Sequence, residues 1–412
     1  MGSFSSPLSG LTAAQANLQT ISNNLSNIDT TGYKDQSLTF ADIFAQSGTM
    51  SGSGNPIQTG SGVAVSSTVT DFSQGDSNTT NTASNMEISG NGFFIAQSST
   101  GVQEYTRAGD FTTNSSGQLI TPSGELVLGY PAVGGAVNTS AALQPLQVNS
   151  LTSPAAASTT VGITANLDSE TAVGASATSS SLPIYDSLGE AHTLTVSYTK
   201  TAANTWNYTV TVPSADLTGG VGTTTTVGSG TLNFDTSGAL ASTTNVVAIA
   251  IPGLADGAAN LAISGPFGTA ANPTITQTSL ASATSATSTD GLAAGTLSSY
   301  AVGTDGTING TFSNGQTLAL GQVAVASFAN SQGLVATGGN NYAASASSGS
   351  AVIGIAGTGG RGTIIGGSIE MSNVNIATEF AKLIEAQQAY SANAKSVTTF
   401  NSVSQATLQM LQ

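Results

Sequence analysis

Hydrophobic positions at both ends of the chain recur at alternating steps of three and four residues. This is the a/d spacing of a heptad, and it predicts a helix with one apolar stripe at each terminus. Pro7 suits the first turn of the first helix, where its missing N–H is not needed. The stripes consist of Leu11, Ala14, Leu18, Ile21, Leu25 and Ile28 at the N-terminus, and of Ile376, Phe380, Leu383, Tyr390, Val397, Leu408 and Leu411 at the C-terminus.

These stripes have two interpretations. Ordinary helical proteins bury such a stripe within the same molecule. Here the rest of both helices is rich in Ser, Thr, Asn and Gln and has few Glu–Lys pairs to stabilise a solvated helix. Because nucleating a helix carries a factor of about 10⁻³, such segments are marginal alone. We therefore expect the stripes to form a self-assembly seam that becomes ordered when neighbouring copies cover it.

Between the helices, apolar and polar residues alternate with a period of two, which is typical of half-buried strands. One run places His192, Leu194 and Val196 on a single face, and the run beginning at Trp206 repeats the pattern. A Gly-Asn-Gly turn at residues 90–92 separates two apolar pieces of a hairpin. The expected fold is mainly β: two antiparallel sandwich- or barrel-like domains, one inserted in the other, plus terminal helices that form a coiled-coil-like domain.

Low-complexity stretches of Ser, Thr, Gly and Ala mark the expected joints between these domains. They lie at residues 47–62, 150–160, 218–230 and 281–295. The expected organisation is a helical domain at 1–34 and 370–412, a linker at 35–70, an inner β domain at 71–147 and 289–369, and an inserted outer β domain at 148–288.

Composition excludes several functional classes. Charged residues make up 7% of the chain, against about 25% in ordinary soluble proteins, and the formal net charge is −15. Such a surface argues against nucleic-acid partners and against membrane insertion. With no cysteine and one histidine, disulfides and Cys/His metal sites are excluded, so we expect no metal and no cofactor. No Lys or Arg precedes Lys34, so the basic region of a secretory signal is missing.

Three features resemble chemical sites. Residues 357–362 match the G-x-G-x-x-G pattern, but Thr363-Ile-Ile predicts a strand where a dinucleotide site needs a helix. His192 shares an apolar face and is expected to be structural. Arg107 and Arg361 are rare cations, expected to form ion pairs in the core or between subunits. No catalytic residue is expected, and the chain is interpreted as a protein that is not an enzyme.

The segment Ser22-Asn-Asn-Leu-Ser-Asn-Ile-Asp-Thr-Thr-Gly-Tyr-Lys34 resembles the N-terminal signature of the bacterial flagellar rod and hook family of axial proteins. Asn24, Asn27, Gly32 and Tyr33 carry this signature, and Gly32 can adopt the left-handed conformation that stops a helix. The resemblance continues at residues 86–95, 105–111, 126–130, 321–334 and 383–390. The central segment, with residues 184–192 and 232–238, is similar to the outer domain of hook members of this family.

The resemblance implies a structural subunit of the flagellar hook, which self-assembles into a flexible helical tube and acts as a universal joint between motor and filament. It implies a homopolymer that contacts the flagellar rod at its proximal end, a hook cap during assembly and a hook–filament junction protein at its distal end. It also implies an extracellular location in the flagellum, reached through the flagellar type III export apparatus without a cleaved signal peptide. A distal rod subunit is the alternative within the family. A secreted adhesin or surface-layer protein, or a β-rich polysaccharide-degrading enzyme, is the alternative from another class.

Overall fold

A computed structural model of the chain describes residues 5–45, 59–149, 151–241, 248–269 and 272–410. The chain folds into two compact units. Unit 1 comprises residues Met1–Asn149, Ser299–Gly310 and Leu318–Gln412, and unit 2 comprises Ser150–Ser298 and Thr311–Thr317. The domain limits expected from the sequence stay a prediction.

The described part of the chain contains strands throughout its middle and a long helix at each end, as the hydrophobic pattern predicts. The first stretch contains α1 (Ser5–Ser26), β1 (Gln36–Ala45), β2 (Thr59–Thr70), β3 (Ser77–Thr79), β4 (Met86–Ser89), β5 (Phe93–Gln97), β6 (Gln103–Thr106), β7 (Thr112–Thr113), β8 (Leu119–Ile120), β9 (Leu126–Val133), β10 (Ala136–Val137) and β11 (Gln144–Pro145). The second contains β12 (Thr152–Ser153), β13 (Val161–Asp168), β14 (Ser180–Tyr185), β15 (Ala191–Ala202), β16 (Thr205–Pro213), a 3₁₀ turn (Ser214–Asp216), β17 (Thr224–Asn233), β18 (Ile249–Ile251), β19 (Leu261–Ile263), β20 (Gly268–Thr269), β21 (Asn272–Pro273), β22 (Ile275–Thr278), β23 (Ala283–Thr289) and β24 (Gly295–Val302). The third contains β25 (Thr307–Phe312), β26 (Thr317–Ser327), a 3₁₀ turn (Ser331–Gly333), β27 (Val335–Gly338), β28 (Asn341–Ala343), β29 (Val352–Ile355), β30 (Thr363–Gly366), β31 (Ser368–Glu370) and α2 (Ile376–Met410).

The central strands of unit 1 are buried on both faces. Strand β5 pairs antiparallel with β6, β9 and β26. Successive side chains of a strand point to opposite faces, so Phe94 and Val325 enter one core cluster while Phe93 and Ala324 enter another. This explains why β5 and β26 are nearly continuous apolar runs in the sequence rather than alternating ones.

Unit 2 is built mainly from two sheets around one core, together with the short strand pairs β18-β19 and β20-β21. The larger sheet has the order β14-β15-β16-β17, and the smaller has the order β22-β13-β23. The alternation predicted from the sequence is confirmed, since Leu194, Val196, Trp206 and Tyr208 are all buried in this core. One pairing differs from the expected antiparallel arrangement, because β13 and β22 run parallel.

Trp206 links the two sheets of unit 2 through a buried hydrogen bond. Its indole Nε1 donates to Oε1 of Gln277 on β22 at 2.8 Å, which satisfies a polar group that the core would otherwise leave unpaired. The buried Lys200 lies 5.9 Å from the centre of the Trp206 ring and donates to the carbonyl of Ser169. Trp206 is the only tryptophan of the chain, so its fluorescence reports on unit 2.

Strands lie within residues 35–70, the segment expected to be a linker. Strands β1 and β2 pair with each other from Gln36↔Thr70 onward. Strands β17 and β23 likewise run through the low-complexity stretches at 218–230 and 281–295. In β2, β17 and β23, threonine favours strand formation because its side chain is branched, while small and similar neighbours hide the period of two.

A buried ion network joins the segment that follows α1 to β31, the last strand of unit 1. Glu370 of β31 is fully buried, and its carboxylate contacts Nζ of Lys34 at 2.5 Å and the guanidinium of Arg107 at 3.2 Å. The backbone N–H of Gly75 also donates to it at 2.9 Å. Arg107 is therefore a core ion-pair partner, which is one of the two roles expected from the sequence. Removing one member would leave the others charged and uncompensated in the interior.

We predict that Glu370→Gln lowers the unfolding free energy of unit 1 by about 3–5 kcal/mol, because Lys34 and Arg107 would then be buried without their anion. Urea unfolding followed by far-ultraviolet circular dichroism measures the loss, and Trp206 fluorescence follows unit 2 separately. Glu385→Gln is the matched control, since Glu385 is exposed on α2, and it should change the free energy by less than about 0.5 kcal/mol. Equal unfolding midpoints for the two variants would contradict the role of the network.

Candidate assembly interface

Helices α1 and α2 pack against each other in antiparallel orientation. The amide of Asn24 near the end of α1 donates to Glu379 near the start of α2 at 3.2 Å. Toward the other end of the pair, a Cβ on Gly10 would lie 2.9 Å from the side chain of Asn393. Asn24 and Gly10 are as far apart along α1 as Glu379 and Asn393 are along α2, so the two contacts define one register. Gly10 allows the close approach of the helices that this register requires.

Helix α2 extends well past the described part of α1. The two helices contain 35 and 22 residues, which at about 1.5 Å per residue correspond to lengths of about 52 and 33 Å. The register given by Asn24–Glu379 and Gly10–Asn393 places Ser5 opposite Thr398. From Thr398 to Met410 every residue of α2 is exposed.

The predicted stripe divides between the inside and the outside of this helix pair. Ala14 and Ile21 are buried. The half-buried members are Leu11, Leu18, Leu25, Ile28, Leu383 and Val397. The exposed members are Ile376, Phe380, Tyr390 and Leu408. Leu411 lies outside the described residues. Helix α1 packs against α2 and also against strands β1 and β2, whereas much of the α2 stripe is exposed within the molecule.

The uncovered part of α2 begins with three large apolar side chains, which we call the outer stripe. Ile376, Phe380 and Ile384 recur every fourth residue and so lie on one side of the helix. Their exposed fractions are 52%, 47% and 55%. A row of large exposed apolar groups is typical of a surface that another protein covers.

Asn24 is the polar centre that fixes the start of α2 to the end of α1, and it is 1% exposed. Its amide nitrogen donates to the carboxylates of Asp35 and Glu379 and to the carbonyl of Gln36. Its amide oxygen accepts from the backbone N–H of Gln36 and from the hydroxyl of Tyr33, each at 3.1 Å. Because these bonds use both ends of the amide, neither aspartate nor leucine could replace Asn24 without leaving groups unpaired.

Charges around Asn24 explain the titration of its neighbours. Lys382 lies 2.6 Å from Glu379 and 3.7 Å from Asp35. The hydrogen bond to Glu379 raises the pKa of Lys382 above its ordinary value. Burial, together with the negative charges of Asp35 and Glu379, raises the pKa of Tyr33 to about 12. Burial also raises the pKa of Asp35, although Lys382 opposes the shift.

The remaining signature residues shape the turn that follows α1. The amide of Asn27 donates to the carbonyl of Asn23 at 2.9 Å, in the last turn of the helix. Gly32 has φ of +67°, the left-handed conformation expected from the sequence, although α1 itself ends at Ser26. A Cβ on Gly32 would lie 2.5 Å from the backbone nitrogen of Ala108. Glycine is therefore required twice, by conformation and by close approach.

The other candidate sites do not assemble into a chemical centre among the described residues. Residues 357–362 form a loop that leads into strand β30 and not into a helix. Arg361 donates to the carbonyl of Ile355 and to the hydroxyl of Thr358, both close to it in sequence. Within the described ranges, none of the helices is both long enough and apolar enough to cross a membrane.

His192 is buried at one end of unit 2, beside several carboxylates. Its two ring nitrogens lie 3.3 Å from Asp186 and 3.0 Å from Asp216. One side-chain nitrogen or oxygen atom from each of Asp186, His192 and Asp256 lies within 4.8 Å of the other two. Because carboxylates already face both ring nitrogens, we do not assign a metal to this cluster.

Sequence reasoning missed part of the interface. Ile384 is not among the stripe residues predicted from the sequence, although its position four residues after Phe380 is a local signal that it lies on the same side of α2. Glu379, Asp35 and Lys382 were also missed, and only the fold reveals them, because Asn24 and Glu379 are 355 residues apart.

Four family models match consecutive parts of the chain. They are described as Flagella basal body rod protein at residues 7–34, Flagellar hook protein FlgE/F/G D1 domain at 87–166, Flagellar basal body protein FlaE D2 domain at 156–292, and Flagellar basal body rod FlgEFG protein C-terminal at 365–410. These are families of structural flagellar proteins and not enzyme families.

Relatives match along nearly the whole chain. The flagellar hook protein FlgE of Salmonella typhimurium is 33% identical over 410 residues, covering 96% of this chain and 97% of the relative. That of Escherichia coli strain K12 is 35% identical over 409 residues, covering 96% of each. The crystal structure of Helicobacter pylori flagellar hook protein FlgE2 matches with a TM-score of 0.46 and 17% identity, over 70% of this chain and 98% of that one. With a third of its residues identical over almost its full length, the chain belongs to the flagellar hook protein FlgE family.

Proposed function

We propose that this chain polymerises into the flagellar hook through helix contacts between copies, with the outer stripe of α2 as the main contact surface. The observation that carries the proposal is the exposure of Ile376, Phe380 and Ile384, three large apolar side chains that lie together on one side of α2. Because about half of each side chain is already buried, covering the rest would contribute about 0.7–1.5 kcal/mol for each. A second copy is the occupant that membership in a family of structural hook subunits favours.

The contact between copies is heterologous in this proposal. The outer stripe lies on the uncovered side of α2, while α1 offers its own exposed apolar residue, Leu8, at 55% exposure. If the outer stripe of one copy packs on α1 of the next, the same contact repeats along the assembly. Contacts of this kind generate a helical filament or tube instead of a closed dimer.

The mechanical role follows from the composition of the remaining surface. The hook would act as a universal joint if its outer β surfaces could shift against each other while the helices held the tube together. Only 7% of the residues are charged, so few ion pairs would have to separate when the tube bends. Breaking a desolvated ion pair is costly, whereas Ser, Thr and Asn can exchange hydrogen-bond partners.

The location and the partners of the hook complete the proposal. The chain would be extracellular and exported without a cleaved signal peptide by the flagellar type III apparatus. It would contact the flagellar rod, a hook cap during assembly and the hook–filament junction protein. The absence of cysteine supports export as an unfolded chain, since no disulfide has to form or break. A distal rod subunit remains the second candidate, because rod family models match both terminal segments.

We predict that Ile384→Asp abolishes polymerisation and leaves the monomer folded, because the new carboxylate would be buried at the contact between copies without a partner. Ser396→Asp is the matched control: it places the same residue in the same helix, on the side away from the outer stripe, at an exposed position. Electron microscopy and sedimentation under polymerising conditions measure assembly, and circular dichroism checks the fold. Normal tubes from Ile384→Asp, or loss of tubes in both variants, would contradict the proposed surface.

We also predict that deleting residues 401–412 prevents tube formation without changing the urea midpoint of unit 1. These residues lie beyond the point where α1 begins, and those from 401 to 410 are exposed, so the monomer loses little packing. In the full chain, this Ser- and Thr-rich segment should gain helix on polymerisation, because an uncovered helix of this composition is marginal.

Circular dichroism of the dilute monomer and of the polymer tests this point. The helical signal should rise on assembly in the full chain, and the deletion variant should show no rise. Hydrogen exchange that is already fully protected at residues 401–410 in a dilute monomer would overturn the prediction.

A further inference from the structure

One histidine in the chain joins three separate segments of unit 2. His192 lies on β15 and is 5% exposed. Its Nε2 faces Asp186, in the turn after β14, and its Nδ1 faces Asp216, in the 3₁₀ turn after β16. Asp256, in the loop between β18 and β19, is the third carboxylate of the group. Strands β14 to β17 form a meander, so these turns meet at the same end of the sheet.

The two contacts of the ring are best satisfied when the ring is positively charged. Neutral imidazole carries one N–H, so one of its nitrogens would present a lone pair to a carboxylate. Both separations, 3.3 Å to Asp186 and 3.0 Å to Asp216, suit N–H···O hydrogen bonds. An imidazolium donates from both nitrogens and so satisfies both contacts at once.

The two partners differ in how firmly they are held. Asp186 is fully buried, and its second oxygen accepts from the backbone N–H groups of Leu188 and Glu190 at 2.8 and 2.9 Å. The side chain of Asp216 is 24% exposed, so water can replace its partner. If the proton leaves, Asp186 has to stay where it is, and Asp216 is the group that can move away.

We propose that His192 is a proton-operated clasp that holds the loop at residues 214–223 when protonated and releases it when the proton is lost. The inference concerns unit 2 and does not rest on the proposed function. The loop is also held by backbone bonds from Thr218 to Gly253 and from Ala255 to Asp216, and by side-chain bonds from Thr218 to the carbonyl of Leu254 and from Ser214 to the carbonyl of Val221. It carries Val221, which is 89% exposed, so release would change the mobility of an apolar group on the surface of unit 2.

The surrounding charges favour the protonated ring. Asp186 faces it from its turn, Asp216 from the 3₁₀ turn and Asp256 from its loop, and Glu190 is exposed in the same turn as Asp186. Burial lowers the pKa of His192, but hydrogen bonds to Asp216 and Asp186 outweigh it and raise the pKa above 6.5. Stabilisation by the clasp is therefore complete below about pH 6.5 and is lost as the pH rises through the pKa of the folded state.

The test is a nuclear magnetic resonance titration of the full-length monomer from pH 5 to 9. The chain has a single histidine, so the imidazole signal needs no assignment. The expected midpoint lies above 6.5, and Asp216→Asn should lower it. Asp235→Asn is the matched control, because it removes an exposed carboxylate elsewhere in unit 2 and should leave the midpoint unchanged.

Hydrogen exchange supplies the second measurement. After correction for the intrinsic pH dependence of exchange, amides of residues 214–223 should exchange about tenfold faster one pH unit above the midpoint than one pH unit below it. This is the change expected for a clasp that opens when one proton is lost. In His192→Gln this step should vanish, while Trp206 fluorescence shows that unit 2 stays folded.

Several outcomes would overturn the clasp. One is a midpoint at or below 6.5, and another is a midpoint that Asp216→Asn does not move. Exchange in residues 214–223 that shows no step at the His192 midpoint would also overturn it. A His192 titration midpoint that shifts on addition of EDTA would show that the ring binds a metal ion instead of a proton.

Discussion

The apolar surface of α2 exceeds what α1 covers, and in the proposed assembly this imbalance drives polymerisation. A single partner helix covers one side of α2 over part of its length. Another side keeps Ile376, Phe380 and Ile384 exposed, and every residue from Thr398 to Met410 is exposed. Under the proposed function, copies that cover this surface for one another would gain both the driving force and the direction of growth.

Polar contacts hold the base of the helix pair. Asn24 joins the end of α1 to the start of α2 through an amide whose two ends are both used. Just beyond α1, Lys34 pairs with Glu370 and so joins the segment after α1 to the last strand before α2. Polar groups thus fix the position of the helices, while in the proposed assembly apolar groups supply the affinity between copies. Under that proposal, the contact between copies can change without loosening the helices from the strands of unit 1.

Local patterns in the sequence predict the helices and the strongest strands. The steps of three and four at Leu11 to Ile28, and the alternation around Trp206, are short-range properties of the chain. Strands β2, β17 and β23 escape prediction because Ser, Thr, Gly and Ala differ too little in polarity to show a period. The polar base of the helix pair also escapes, since Lys34 and Glu370 are 336 residues apart and only the fold pairs them. Ile384 could have been found, because its spacing from Phe380 is itself local.

The placement of the cations has a consequence for the polymer as a material. Of the six Lys and Arg residues, Lys34, Arg107 and Lys200 are buried, so half of the positively charged side chains lie inside the fold. The outside is correspondingly anionic, and stacked copies form a polyelectrolyte. Charges on such a surface repel each other over a Debye length of about 8 Å at physiological ionic strength, and over longer distances in dilute media. The stiffness of the tube should therefore follow the salinity of its surroundings, with fresh water making it more rigid than brine.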